Sequence, residues 1–353
     1  MSKKEIEVTF KTITPIWTGD INGECTEIKP ASIMGSLRFW FEVICYFSGI
    51  CEKKDFRNGR FEKEVDRKKF KECLIKKGNT FESKIECLIK QNIPLPSIIF
   101  GTTNWKSLIE VKSIEYLEDY CFGNRLNLPA KICISKSNYE IKENYNCPKK
   151  SNKDWSVFYF ANPYFYGKFE IKFQIEEKIA EPIFYPLLTF MDRYGFWGGK
   201  WNIGYGRLNV SEIKINDNSL DNWSKEEFVF KDINNNYENK KFEDFVKSDT
   251  SNFINNLIQQ ENKIQIFNTN NSNNSFIEVI KELIKTKAQK RAKFRSNTEE
   301  RHKIFGKTGN PKSLSYVPQG SKILPYIYKE NGHFKGSFLS IAGLLNLEGG
   351  NNE

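Results

Sequence analysis

Lys168-Phe-Glu-Ile-Lys-Phe-Gln-Ile175 and Tyr194-Gly-Phe-Trp-Gly-Gly-Lys-Trp-Asn-Ile-Gly-Tyr-Gly-Arg207 lie one helix apart and together decide the fold. In the first stretch Phe169, Ile171, Phe173 and Ile175 alternate with polar residues, the pattern of a strand with one buried face. Between the two stretches, Pro182 can open a helix that runs to Tyr194, and Gly195 suits its C-terminal cap. After the glycines a strand runs from Tyr205 to Ile215. Its apolar parity shifts between Leu208/Val210 and Ile213/Ile215, which places a bulge near Ser211.

Toward the N-terminus, Ile6, Val8 and Phe10 alternate with Glu7, Thr9 and Lys11, another half-buried strand. A loop follows at Thr14–Asp20. A helix after Pro30 carries Ile33, Leu37, Trp40, Ile44 and Phe47 on one stripe, with Arg38 and Glu42 off it. Residues 52–92 are charged and read as a helical insertion, and Pro94–Gly101 reads as the start of an extended region. The order strand–helix–strands–helix–strand is the ferredoxin-like pattern.

Residues 216–274 are polar and asparagine-rich, read as linker and loops with one helix around 242–258. Ser275-Phe-Ile-Glu278 has capping-box spacing and opens a helix that ends in a basic run at Lys285–Arg295. Asn331-Gly332 between two apolar runs signals a hairpin. The fold class expected is α+β, with two tandem ferredoxin-like (RRM-like) domains. The first is 1–215, with the insertion 52–92 and the glycine-rich loop 195–206. The second is 216–353, with additional helices including the basic helix 275–295.

The chemistry of the glycine-rich loop has two readings. Its five glycines between 194 and 207 allow positive φ and close approach to another molecule. Lys200 and Arg207 would give that backbone a cationic face, and Trp197, Trp201 and Tyr205 offer flat surfaces for bases. A sugar–phosphate strand suits such a loop. The other reading is a glycine-rich turn whose aromatics fill a core. Mononucleotide loops fit poorly. A Walker A loop needs Ser or Thr after Gly199-Lys200, where Trp201 stands, and a dinucleotide fingerprint from Gly204 needs glycine at Asn209.

The formal net charge of +10 is concentrated. From Lys281 to Lys312 there are eleven Lys/Arg against three acids, which points to a polyanion partner or to a solvated helix face. None of the eight cysteines forms a Cys-x-x-Cys pair, so no metal site is expected. Without a secretory signal they read as reduced thiols of a cytoplasmic protein, and no apolar run is long enough to span a membrane.

At four places the chain resembles the RAMP superfamily of type III CRISPR effector complexes, most like subunit one of the type III-B (Cmr) complex. These are Ile13-Thr-Pro-Ile-Trp-Thr-Gly19, Ile28-Lys-Pro-Ala-Ser-Ile-Met-Gly-Ser-Leu-Arg-Phe-Trp40, Ile99-Phe-Gly-Thr-Thr-Asn-Trp105 and the loop Gly195–Arg207. The resemblance implies a non-catalytic, cofactor-free subunit of an RNA-guided antiviral complex. It implies guide RNA (crRNA), bound toward its 3′ end, target RNA and the other Cmr subunits as partners.

The residues expected to touch RNA are Trp17 and Thr18 in the first motif and Ser32, Ser36 and Arg38 on the first helix. In the loop they are Gly198, Gly199, Lys200, Trp201, Gly204, Tyr205, Gly206 and Arg207, and on the basic helix Lys290, Arg291 and Arg295. Ser32 and Ser36 sit where free helix N–H groups attract phosphate. Arg38 either meets RNA or another element, or pairs with Glu42 at i, i+4. Trp40 falls on the core stripe. His302, beside Arg301 and Lys303, either touches a phosphate or lies on a solvated surface. Two rival functions stand beside this one. One is a guide-processing endoribonuclease, opposed by the distance in sequence of both histidines from the loop; Asp20 is its candidate, or else a turn-stabilising residue. The other is a scaffold whose glycine-rich loop docks protein.

Overall fold

The computed structural model describes residues 2–20, 22–47, 50–51, 56–57, 60–149, 154–220, 229–230, 240–241, 269–273, 275–298, 301, 305 and 323–340. The expected helix around 242–258 and His302 lie outside the described residues. The strands used below are β1 (Lys3–Thr12), β2 (Ile109–Tyr116), β3 (Lys131–Ser135), β4 (Ile141–Glu143), β5 (Trp155–Tyr159) and β6 (Lys168–Glu176). They continue with β7 (Leu208–Ile215), β8 (Asn218–Ser219), β9 (Thr269–Asn273), β10 (Ile323–Glu330) and β11 (His333–Ser340). The helices are α1 (Pro30–Phe47), α2 (Arg67–Lys77), α3 (Phe81–Lys90), α4 (Leu95–Phe100), α5 (Tyr185–Arg193) and α6 (Phe276–Ala292).

The main sheet has the order β8-β7-β1-β6-β2, antiparallel at every pairing. With α1 between β1 and β2 and α5 between β6 and β7, it has the β-α-β-β-α-β connectivity that the alternating segments predict. One face is apolar. Ile6, Val8 and Phe10 of β1 and Phe169, Ile171, Phe173 and Ile175 of β6 are fully buried, as are Ile33, Leu37, Trp40 and Ile44 of α1. Each such side chain contributes about 1.5–3 kcal/mol by leaving water. The other face is polar, with Lys172 2.7 Å from Glu7 across β6 and β1. The register of β1 against β7 shifts between Thr9 and Phe10, leaving Ser211 as the bulged residue, where its hydroxyl donates to Thr9 O.

A second core holds Phe276, Ile280 and Leu283 of α6, Ile327 of β10 and Phe334 and Phe338 of β11. It extends to Ile132 and Ile134 of β3 and to Ile203 and Tyr205 of the glycine-rich loop. The β10–β11 turn is the predicted Asn331-Gly332, at φ 50° and 81°. Ser275 stands at the N-cap of α6, but its side chain makes no capping bond, and Glu278 pairs instead with Lys281.

Several local expectations are corrected. The segment after Pro94 is the helix α4: Pro96 falls in its first turn, where no N–H is needed, and Leu95–Ile99 are buried. A short apolar run has no period by which to tell helix from strand. Tyr194, not Gly195, is the C-cap of α5; Gly195 lacks a side chain because a Cβ would stand 2.5 Å from Met191 Sδ. The cysteines are not all thiols. Cys73–Cys87 joins α2 to α3 and Cys133–Cys147 joins β3 to the segment after β4, whereas Cys25, Cys45, Cys51 and Cys121 are buried thiols. No described helix is long and apolar enough to cross a membrane.

Candidate nucleic-acid interface

The glycine-rich loop does two jobs along its length. Phe196 and Trp197 enter the first core, and Ile203 and Tyr205 enter the second. Gly204, at φ 79°, lets the second core close on the loop; a Cβ there would meet Ile280 Cδ1 at 2.7 Å and Ile327 Cδ1 at 3.0 Å. Tyr205 is fully buried and its hydroxyl donates to Ala161 O. Gly206, at φ 95°, donates its N–H to Pro15 O. These three positions therefore face the protein interior, contrary to the expected RNA contacts.

Arg207 is corrected most sharply. It is 1% exposed, and its guanidinium donates to the carbonyls of Met191, Asp192, Arg193 and Gly195 and to the Tyr326 hydroxyl. These carbonyls lie at and just beyond the C-terminal end of α5, where a cation complements the helix dipole. The Tyr326 ring lies 4.5 Å from the guanidinium carbon, so the same arginine ties α5 to β10.

The tip of the loop behaves differently. Gly198 N–H donates to Ser36 Oγ at 3.0 Å, and Ser36 Oγ donates in turn to Ser32 O at 2.8 Å. This pins the loop to the first turns of α1. Gly199 N–H donates to Trp17 O at 2.8 Å, and Lys200, at φ 62°, holds its ammonium 4.9 Å from the centre of the Trp17 ring. Trp17 Nε1 is buried without a hydrogen-bond partner among the described residues. Trp201 leans on Phe39, Trp40 and Phe196 and donates its N–H to Trp197 O.

Between α1 and this tip lies a cleft of about 630 Å3, lined by Ser32, Ser36, Arg38, Gly198 and Trp201 of the expected set. Arg60 and Glu42 also line it. Arg60 comes from the charged insertion and carries no motif that would single it out. The helix start supplies fewer donors than expected, because Pro30 has none and the N–H groups of Ser32 and Ile33 both donate to Lys29 O. Thr18 is buried and structural: its hydroxyl donates to Glu27 O and accepts from Lys29 N–H. Arg38 takes the ion-pair reading, with Nε 3.0 Å from Glu42 Oε1, and also donates to Gly101 O at 2.9 Å.

A model of one family, the RAMP superfamily, matches residues 9–209, more than half of the chain. The chain belongs to the RAMP superfamily. Among solved structures, this RAMP chain is similar to the apo form of Cmr1 from Pyrococcus furiosus, at 14% identity and a TM-score of 0.39, over 95% of this chain and 86% of that one. It is also similar to a chain of the type III-B Cmr-beta complex bound to cognate target RNA, at 14% identity and a TM-score of 0.43, over 96% and 94%. A chain of Cmr-beta bound to cognate target RNA and AMPPnP in the presence of ssDNA aligns at 11% identity and a TM-score of 0.42, over 98% of each. No curated protein matches the sequence significantly.

Away from the cleft, the basic helix divides. Lys287, within the basic run, turns to the protein instead of projecting outward: its ammonium donates to Ile323 O, and burial pushes it down to about 7. Lys290 is half-buried, and Arg291 and Arg295 are exposed. Arg295 reaches Lys136 O, at the turn between β3 and β4. Asp20 stabilises a turn by accepting from Asn22 and Glu24 N–H, bonds that hold its carboxyl below its ordinary range.

Glu42 is the titrating group of the cleft. Burial pushes its carboxyl from 4.5 up to about 7, against the pull of the Arg38 hydrogen bond. The folded state thus holds this proton more tightly than the unfolded chain does. The stabilisation is complete below about pH 4.5 and is lost as pH rises toward 7, by up to roughly 3 kcal/mol. Glu42→Gln should flatten that part of the stability profile, read as denaturant midpoints between the two pH values. An unchanged profile would show that Glu42 is not the group responsible.

Proposed function

We propose that this chain is a non-catalytic RNA-binding subunit of a type III-B CRISPR (Cmr) effector complex, acting in the cytoplasm in antiviral defence. Its partners in this reading are guide RNA near its 3′ end, the guide–target duplex and the other Cmr subunits. The domains are two tandem ferredoxin-like units, 1–215 and 216–353. The observation that carries the reading is the cleft in which the loop tip meets α1, with Arg60 at its wall and Lys200 over Trp17 on the same loop. Of the two motifs that suggest subunit one, Ile28–Trp40 forms the helical wall of this cleft, and Ile13–Gly19 meets the loop tip where Gly199 N–H donates to Trp17 O.

The test is binding of labelled single-stranded RNA across a salt series. Affinity should fall steeply as salt rises, because cations that neutralise phosphates release counterions. Lys200→Glu with Arg60→Glu should weaken binding about tenfold or more, equivalent to about 1.4 kcal/mol, without lowering the melting temperature. Salt-independent binding, or an unaffected double variant, would sink the reading.

One observation favours the endoribonuclease rival. A carboxyl titrating near neutrality in a cleft suits general acid–base work. Yet Glu42 is 5% exposed and bonded to Arg38, which holds it away from a substrate. The isolated chain should therefore leave guide-precursor RNA intact. Cleavage abolished by Glu42→Gln would transfer the assignment to the rival.

A further inference from the structure

The sheet β4-β3-β5 has two unlike faces. Ile132, Ile134, Phe158 and Ile141 share the inner face and pack into the second core. Lys281 of α6 fastens the same sheet through Glu143 at 2.5 Å. The outer face carries Trp155, Val157 and Tyr159 of β5, Lys131 and Cys133 of β3 and Lys142 of β4. Trp155, Val157 and Tyr159 join neither hydrophobic core, and Tyr159 is 51% exposed. Tyr145, just after β4, is fully exposed. Two large aromatics flanking Val157 on the outward face, with no core to fill, need another reason to be there.

The charges beside them are mainly positive. Lys142 Nζ lies 5.1 Å from the centre of the Trp155 ring. Lys131 stands opposite Tyr159 and forms no ion pair among the described residues. Lys136 is at the β3–β4 turn, where Arg295 of the basic run arrives. The acids nearby are Glu140, 3.5 Å from Lys142, and Asp154, whose backbone carbonyl accepts from Lys136 N–H.

We propose that this outer face is a second nucleic-acid site, distinct from the cleft, that takes a single-stranded RNA segment. Bases stack on Trp155 and Tyr159, and phosphates pass Lys131 and Lys142. The two rings are four residues apart on one strand, about 13 Å, so an extended strand can engage both. Aromatic faces accept any base, so the site adds affinity with little sequence preference. The Cys133–Cys147 disulfide and the packed inner face hold the platform rigid, and the end of the basic helix continues its positive charge. The site does not depend on RNA binding in the cleft.

The experiment uses the full chain and a short oligouridylate carrying photoreactive 5-bromouridine, with crosslinks mapped by mass spectrometry. Crosslinks should fall at Trp155 or Tyr159. Trp155→Ala with Tyr159→Ala should weaken the RNA by ten- to a hundredfold, while Trp155→Phe with Tyr159→Phe retains most of the affinity. Lys131→Glu with Lys142→Glu should weaken binding and flatten its salt slope. The variant Lys200→Glu with Arg60→Glu is measured alongside. If that variant loses binding and the aromatic pair does not, this proposal falls and the cleft stands; the reverse result separates them the other way. If the alanine pair unfolds, the crosslink map of the unaltered chain decides, and a map without residues 155–159 overturns the site. Normal RNA binding with loss of assembly into a complex would make the face a protein contact and overturn it equally.

Discussion

Arg207→Ala should cost about 3–5 kcal/mol of stability, a large part of what a domain possesses. The side chain is 1% exposed and reaches four backbone carbonyls and the Tyr326 hydroxyl. Removing it leaves the end of α5 with buried carbonyls that water cannot reach, and each such group carries a desolvation penalty. It also removes the stacking of Arg207 on Tyr326, a first-core residue, that ties α5 to β10. Arg207→Lys should recover little of the loss, because one ammonium cannot span carbonyls that a planar guanidinium reaches on two sides. The measurement is the denaturant midpoint at constant slope. A midpoint shift worth less than about 0.5 kcal/mol, together with weakened RNA binding, would show that Arg207 serves phosphate and not the fold.

That arginine also shows what could be read from sequence and what could not. β1, β6 and β7 each bury one face, so their apolar residues alternate, and the bulge at Ser211 appears as a change of parity. α1 buries one stripe, and Trp40 lies on it. The Asn331-Gly332 turn needs positive φ at both residues, and those residue types state the need. By contrast, α4 is too short and too uniformly apolar to show a period. The disulfides depend on how α2 meets α3 and how β3 meets the segment after β4, and no local pattern records that. In a glycine-rich loop, Lys200 and Arg207 look alike. One stands over Trp17 near the cleft; the other turns inward to carbonyls at 191–195 that the intervening loop brings back to it. Arg60 joins the cleft only because the insertion folds over α1. The β4-β3-β5 sheet is legible in part: Ile132 and Ile134 alternate with Lys131 and Cys133. Its outward aromatics gain meaning only once the inner face is seen to be filled from below.

Gly206→Ala should also be severe, for a reason that can be isolated. Gly206 has φ 95°, a region that costs an L-residue roughly 1–2 kcal/mol. A Cβ there would stand 2.3 Å from Trp197 O and 2.9 Å from Trp197 N, backbone atoms that cannot swing aside. Trp197 is 1% exposed and bonded through its N–H to Gly206 O, so the strain passes into the first core and adds about 1–3 kcal/mol of overpacking. Gly23 supplies the control. Its φ is 83°, and a Cβ there would meet nothing within 4 Å, so Gly23→Ala carries only the backbone part. The midpoint loss for Gly206→Ala should exceed that for Gly23→Ala by at least about 1 kcal/mol. RNA affinity of the folded fraction should fall as well, since the Trp197–Gly206 bond supports the loop tip that Gly198 pins to Ser36 of α1; Gly23→Ala should leave affinity unchanged. Equal losses in the two variants would mean that the loop relaxes around the added methyl and that the close approach at Trp197 does not hold the tip in place.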